Sequence, residues 1–211
     1  MYTILRRKSI TKTLDAVTIE KSGSSPEVVE KLNHLTALCF GKDVPLAETQ
    51  ERFIHSDVVQ LLLHRETVVG YAFNDHLQLA GHDVNYFSSC FVHPEHRGGV
   101  YVPFNHARYA EIPMNVIATR TQNPRIYAGF KRFCEEQGFR LFPDISGVVC
   151  RESVAVAQAF APNCSNDQIC YNIYGRELMA DTPRADRSIA SLFETIKAER
   201  GDAVVLVGIR K

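Results

Sequence analysis

The stretch Phe91-Val92-His93-Pro94-Glu95-His96-Arg97-Gly98-Gly99 constrains this chain more than any other. Val84 to Val92 reads as a strand, and Tyr101 to Ile112 reads as a short helix with Pro103 near its start. A basic, glycine-containing turn therefore joins a strand directly to a helix. Main-chain N–H groups converge at such a junction, Arg97 adds charge, and the helix dipole favours an anion. The plain alternative is a surface turn that happens to contain Arg-Gly-Gly. A second segment about twenty residues on, Asn123-Pro124-Arg125-Ile126-Tyr127 through Glu136-Gln137-Gly138-Phe139, gives the first its weight.

Around these two segments the periodicities predict a mixed order of elements. Tyr2 to Lys21 is extended, with Val17 and Ile19 alternating against Thr18 and Glu20. Ser24-Ser25-Pro26-Glu27 starts a helix in which Val28, Leu32, Leu35 and Cys39 recur at helical spacing, and Gly41 stops it. Pro45 to His55 is a second short helix. Val58 to Leu63 and Val68 to Phe73 form a hairpin through His64-Arg65-Glu66-Thr67. Met114 to Ala118 is a strand, Pro124 to Gln137 a helix ended by Gly138, and Phe139 to Phe142 begins another strand. Ile189, Leu192, Phe193 and Ile196 make an amphipathic stripe that starts at Thr182-Pro183 and stops at Gly201. Ala203 to Ile209 is a final apolar strand.

The fold class expected from this order is mixed α/β (α+β), a largely antiparallel central sheet flanked by helices. No repeat or linker marks a boundary, so 1–211 reads as a single domain. Its core spans about 24–143, and a C-terminal extension over 144–211 packs on it.

The 211 residues hold 24 Lys and Arg against 24 Asp and Glu, so no global field argues for nucleic acid or an anionic membrane. No run approaches the ~18 consecutive apolar residues of a membrane span. The basic N-terminus lacks the apolar stretch of a signal peptide, and a cytoplasmic location is expected. Six scattered cysteines (Cys39, Cys90, Cys134, Cys150, Cys164, Cys170) read as buried free thiols. Cys90, His93 and His96 form C-x2-H-x2-H, but no fourth ligand is spaced to close a site, and no metal is expected.

Val92, Pro94, Arg97 and Gly98 fall on the run V-x-P-x-x-R-G-x-G-x-G or -A, which the GCN5-related N-acetyltransferases carry after their fourth strand. Between about Val58 and Phe142 the chain resembles that superfamily, as a divergent member. Gly99 follows the first glycine, and the two later small positions fall on Val100 and Val102. A one-residue deletion would instead put Gly99 on the first glycine position. The resemblance implies a sheet in which two neighbouring strands splay apart to admit acetyl-coenzyme A. It implies main-chain pairing of Phe91 and Val92 with the pantetheine arm. A diphosphate site then forms from Arg97, Gly98, Gly99, Val100 and Tyr101. Asn123 is left two readings, a contact to the pantetheine arm or a simple helix cap.

In the family a tyrosine in F-Y-x-K-x-G-F protonates the departing thiolate. Here the run is Phe133-Cys134-Glu135-Glu136-Gln137-Gly138-Phe139, which puts Cys134 at that place. Tyr127, two turns earlier, is the competing acid and the one favoured. No general base announces itself among Tyr86, Ser88, Cys90, His82, Asp83 and Glu111, and positioning with backbone donors to the thioester carbonyl can suffice.

The implied activity is transfer of an acetyl group from acetyl-coenzyme A to a small-molecule or peptide amine, directly and within a ternary complex. The alternative is a catalytically silent relative acting as an acyl-coenzyme-binding or regulatory module, which Val100, Val102 and Cys134 favour. A histidine-bound metal enzyme ranks behind both, although six of the eight histidines lie between His64 and His106. The C-terminal part is left three roles: completing the sheet, covering the acceptor site, or forming a homodimer contact.

Overall fold

The computed structural model describes residues 1–22, 24–181, 183–184 and 186–210. Contacts divide the chain into two compact units, Met1–Asp75 with Phe87–Pro113, and His76–Tyr86 with Met114–Lys211. Both units are built on sheet, mostly antiparallel, with helices against it.

In the first unit, β1 (Thr3–Ser9), β2 (Leu14–Glu20), β3 (Val58–His64) and the start of β4 (Thr67–Leu79) are neighbours in chain order. The ladders β1–β2, β2–β3 and β3–β4 are antiparallel, and the end of β5 (His82–Val92) follows. Strand alternation sends side chains to opposite faces. Val17, Ile19, Leu61, Leu63, Tyr71 and Phe73 meet Leu32 and Leu35 of α1 (Pro26–Phe40) and Phe53 of α2 (Leu46–His55). Residues adjoining them in sequence, Ala16, Leu62 and Ala72, join Val92 against Phe104 and Ala107 of α3 (Tyr101–Glu111).

In the second unit, the remaining ends of β4 and β5 are joined by Ala80-Gly81, both at positive φ. β5 pairs parallel with β6 (Val116–Thr121), and β6 pairs antiparallel with β9 (Ala203–Arg210). β7 (Phe139–Phe142) and the short β8 (Ile169–Cys170) also lie on β9. Val116 and Ala118 pack on Val156 and Ala157 of α5 (Arg151–Phe160). Between them in sequence, Ile117 turns to the other face. Gly208 leaves room there, because a Cβ on it would sit 2.7 Å from Ile117 and 3.2 Å from the Cys134 sulfur of α4 (Pro124–Gln137).

One buried glutamine organises the chain after α5. Gln122 Nε2 faces the carbonyls of Arg176, Ala198 and Asp202 at 3.3, 3.2 and 2.9 Å, and Leu178 N–H donates to its Oε1 at 2.9 Å. Asp202 adds acceptors for the N–H groups of Asn172 and Lys197.

Three sequence expectations change. The late helix α6 spans Arg187–Phe193, and the expected start at Thr182 lies outside the described residues. β4 runs six residues past Phe73. Cys164 and Cys170 are bonded to each other rather than free, because antiparallel bridging at the turn before β8 sets them face to face. Among the described residues no helix is long and apolar enough to cross a membrane.

Candidate active site

In the first unit, β5 delivers its last residues in strict alternation. Phe91 turns its carbonyl toward β4, where a Cβ on Gly70 would lie 2.7 Å from it. His93 also points that way, its N–H donating to Val69 O at 2.7 Å. The main chain of Val92, between them, faces away from β4. Its carbonyl accepts from Arg97 Nε at 2.9 Å and from the Cys39 thiol at 3.3 Å. Arg97 is thereby folded back over the turn Pro94–His96 and remains exposed.

Gly98 and Gly99 are exposed, and a Cβ on either would meet nothing within 4 Å. Gly99 has φ +70°, which a side chain would strain. Val100 is only 3% exposed and packs with Val92, Phe104 and Ala107. Its side chain is therefore spent in the core, under the turn. It also stands at the N-cap of α3, where no side chain bonds the first turn, and Tyr101 opens the helix half-buried. Seven expected residues, Phe91, Val92, Arg97, Gly98, Gly99, Val100 and Tyr101, thus share one strand–turn–helix junction.

In the second unit, Asn123 caps α4. Its Oδ1 accepts from Arg125 N–H at 2.9 Å, while its own N–H donates to Thr121 Oγ1 at 2.8 Å. Tyr127 is wholly buried, donates its hydroxyl to Pro143 O at 3.1 Å, and stands edge-on to Phe193 at 6.2 Å. Burial pushes its phenol well above the usual range. Cys134 is equally buried beside Gly208, and burial likewise raises its thiol.

The base candidates from sequence are mostly occupied. His82 is 3.5 Å from Glu152, Asp83 bonds His76 at 2.6 Å, and Glu111 is 3.4 Å from Arg6. The Tyr86 ring packs on Phe160 at 4.6 Å, and burial raises the Cys90 thiol. Ser88 proves informative through its neighbour. It bonds Asp75, a half-buried carboxylate of β4 with one oxygen sealed from solvent and without a hydrogen-bond partner. Burial raises the Asp75 carboxyl first, and Asp57 adds repulsion, against opposing effects of Ser88, the Asp57 backbone and Arg108. Reading β4 as ending at Phe73 hid this residue. Arg108 was equally hidden, on a helix with weak apolar patterning. It is fully buried, bonding Asn74 Oδ1, Asn105 Oδ1 and Phe73 O at 2.8, 2.9 and 2.8 Å, over the Phe87 ring.

Among the described residues no group of three or more His, Cys, Asp or Glu is placed to hold a metal. His96 lies 5.0 Å from His64 and 5.9 Å from His93, ring to ring.

No protein-family model matches the sequence, and no curated protein does. Solved structures do. One is a Salmonella typhimurium acetyltransferase that modifies the N-terminal serine of ribosomal protein L7/L12, with 10% identity, 98% of this chain and 100% of that chain covered, and a TM-score of 0.50. Another is the GCN5-related glucosamine N-acetyltransferase region of a fungal multi-domain β-N-acetylglucosaminidase, with 10% identity and a TM-score of 0.50. That match covers 65% of this chain and 18% of the fungal one. A GNAT family acetyltransferase from Elizabethkingia anophelis with acetyl-coenzyme A bound aligns at 10% identity over 93% and 98% of the two chains, TM-score 0.49. The fold of this chain is that of the GCN5-related N-acetyltransferases, in a sequence far diverged from theirs.

Proposed function

We propose that the chain is an acetyl-coenzyme A-dependent N-acetyltransferase that passes the acetyl group directly to an amine within a ternary complex. The β5–turn–α3 junction carries this reading. It offers a strand-end main chain turned away from β4, two glycines with nothing against them, and a helix N-terminus without a side-chain cap. The main chain of Val92, which faces away from β4, aligns the pantetheine arm as an added strand would, and Phe91, its carbonyl turned toward β4, holds that strand end in place. The amides of Gly98, Gly99, Val100 and Tyr101, with the charge of Arg97, take the diphosphate. Asn123 contributes from the head of α4.

In the reaction the amine nitrogen attacks the thioester carbonyl carbon, the C–S bond breaks, and the coenzyme leaves as a thiolate that takes up a proton. Asp75 is the base this reading favours for the amine proton, since a half-buried carboxylate whose basicity burial raises suits that task. Tyr127 and Cys134 stay the candidates for the thiolate's proton. Both are enclosed, so either would act from inside the protein.

A thermal unfolding series with acetyl-coenzyme A, free coenzyme A and ATP tests the reading. Ligand at about a hundred times its dissociation constant adds ~2.7 kcal/mol, an easily seen shift. The expected result is a shift with both coenzymes, followed by thiol release when amines are supplied. Turnover lost in Tyr127→Phe or Cys134→Ala assigns the acid, and unchanged rates in both remove them from the chemistry. A coenzyme shift with no thiol release from any amine moves the chain to the silent binding module. No shift overturns both readings.

A further inference from the structure

Three imidazoles crowd the β5–turn–α3 junction, and the acetyl-transfer reading gives none of them a task. His93 and His96 belong to the turn itself, while His64 ends β3. The His96 ring stands 5.0 Å from that of His64 and 5.9 Å from that of His93, centre to centre. His64 lies opposite Leu14 of β2, and Leu14 packs in the same cluster as Val100 at the N-cap of α3. The group therefore borders the uncapped end of that helix, and all of it lies within the first unit. Gly98 follows His96 by two residues, within about 7 Å along the chain.

Each of the three residues is half-buried, so solutes reach the cluster. Among the described residues no carboxylate pairs with any of them. The one hydrogen bond at these rings runs from the Glu95 N–H to His93 Nδ1 at 3.4 Å, which leaves the proton of the neutral ring on Nε2. An imidazole presents at least one N–H donor in either protonation state, and a positive charge when protonated. Donors gathered this closely suit an anion, and the three are not placed to hold a metal. Arg97 and Arg65, each next in sequence to one of the histidines, are exposed and add permanent charge. Of the neighbouring carboxylates, Glu95 is exposed and Glu66 is held by Arg7 at 2.8 Å.

The amides of the turn already have an anion assigned to them, the diphosphate. Coenzyme A carries one more anionic group, the phosphate monoester on its ribose, and such a monoester bears about −1.5 to −2 of charge at pH 7. We propose that His64, His93 and His96 form the subsite for that monoester, so that the chain selects coenzyme A over its dephosphorylated form. The inference rests on the acetyl-transfer reading, which supplies the ligand.

Calorimetric titration with coenzyme A and with 3′-dephospho-coenzyme A tests it, on wild type, His64→Ala, His96→Ala and the two combined. Wild type should bind coenzyme A about tenfold more tightly or better, the scale of a charge-assisted contact. The combined variant should bring the two affinities together while leaving that for the dephosphorylated form unchanged. A merely structural role would weaken both forms alike, and that result overturns the proposal. Equal affinities in wild type also overturn it and keep the acetyl-transfer reading. If neither form binds, that reading falls and the subsite falls with it. A combined variant that keeps the wild-type preference takes these residues out of monoester recognition. Should the combined variant not fold, the single variants decide: each is expected to lose part of the preference, and a preference unchanged in both overturns the proposal.

Discussion

Arg108 and Arg120 bring the same side chain inward on different terms, one held by three oxygens and the other by two rings and a hydrogen bond with Tyr174. Asp75 belongs beside them, as a carboxylate that the fold partly seals. Because its carboxyl is raised, the native state holds more protons than the unfolded chain from about pH 4 up to its native pKa. Stability therefore falls as pH rises through that window, and Asp75→Asn should remove that slope. The groups facing it are Ser88, Asp57 and Arg108. If Asp75 is the base, kcat/KM rises with pH through an inflection above the ordinary carboxylate range. Asp75→Asn should then lower the rate by about 10²- to 10⁴-fold and erase the inflection. A pH–rate profile of both proteins checks this. An unchanged rate with a lost stability slope would make the residue structural alone.

At the scale of elements, local signals were readable and remote ones were not. Asn123 and Gly138 bound α4 as their residue types predict. Asn123→Ala should cost ~1 kcal/mol in urea unfolding without ligand. It should also weaken coenzyme binding if the side chain does more than cap, and an unchanged coenzyme affinity would leave it a cap. Helices α1 and α4 were legible from such ends and from apolar spacing, and α3 from the proline near its start despite weak apolar patterning. α5 was not, because its cap is the Cys150 sulfur, accepting from Ser153 N–H at 3.4 Å, a role the thiol seldom advertises. β4 was cut short because Asn74 and Asp75 look like turn residues until Arg108 and Ser88 appear beside them. Those partners arrive from α3 and β5, and no window along the chain contains both. The strand–turn–helix junction between β5 and α3 was legible because its seven residues are nearly consecutive. The burial of Val100, Tyr127 and Cys134 depends on packing that spacing does not reveal.

Over the whole molecule, neither compact unit is a continuous piece of chain. The division falls between Asp75 and His76 and again between Tyr86 and Phe87, so β4 and β5 each serve both. A single cut cannot release either unit with its strands complete. We therefore propose that 1–211 unfolds as a single domain, with calorimetric and van't Hoff enthalpies in agreement. Two resolved transitions, or probes that fail to coincide, would show the units to be thermodynamically separate.

The mooring of the chain after α5 carries a different kind of consequence. Gln122 grips Arg176, Leu178, Ala198 and Asp202 entirely through their main-chain atoms. A clasp of that kind is indifferent to which side chains the clasped residues bear. The four clasped positions are thus free to drift in sequence as far as this anchorage is concerned, so descendants of this chain can revise the side chains they bear without relearning how to hold the segment.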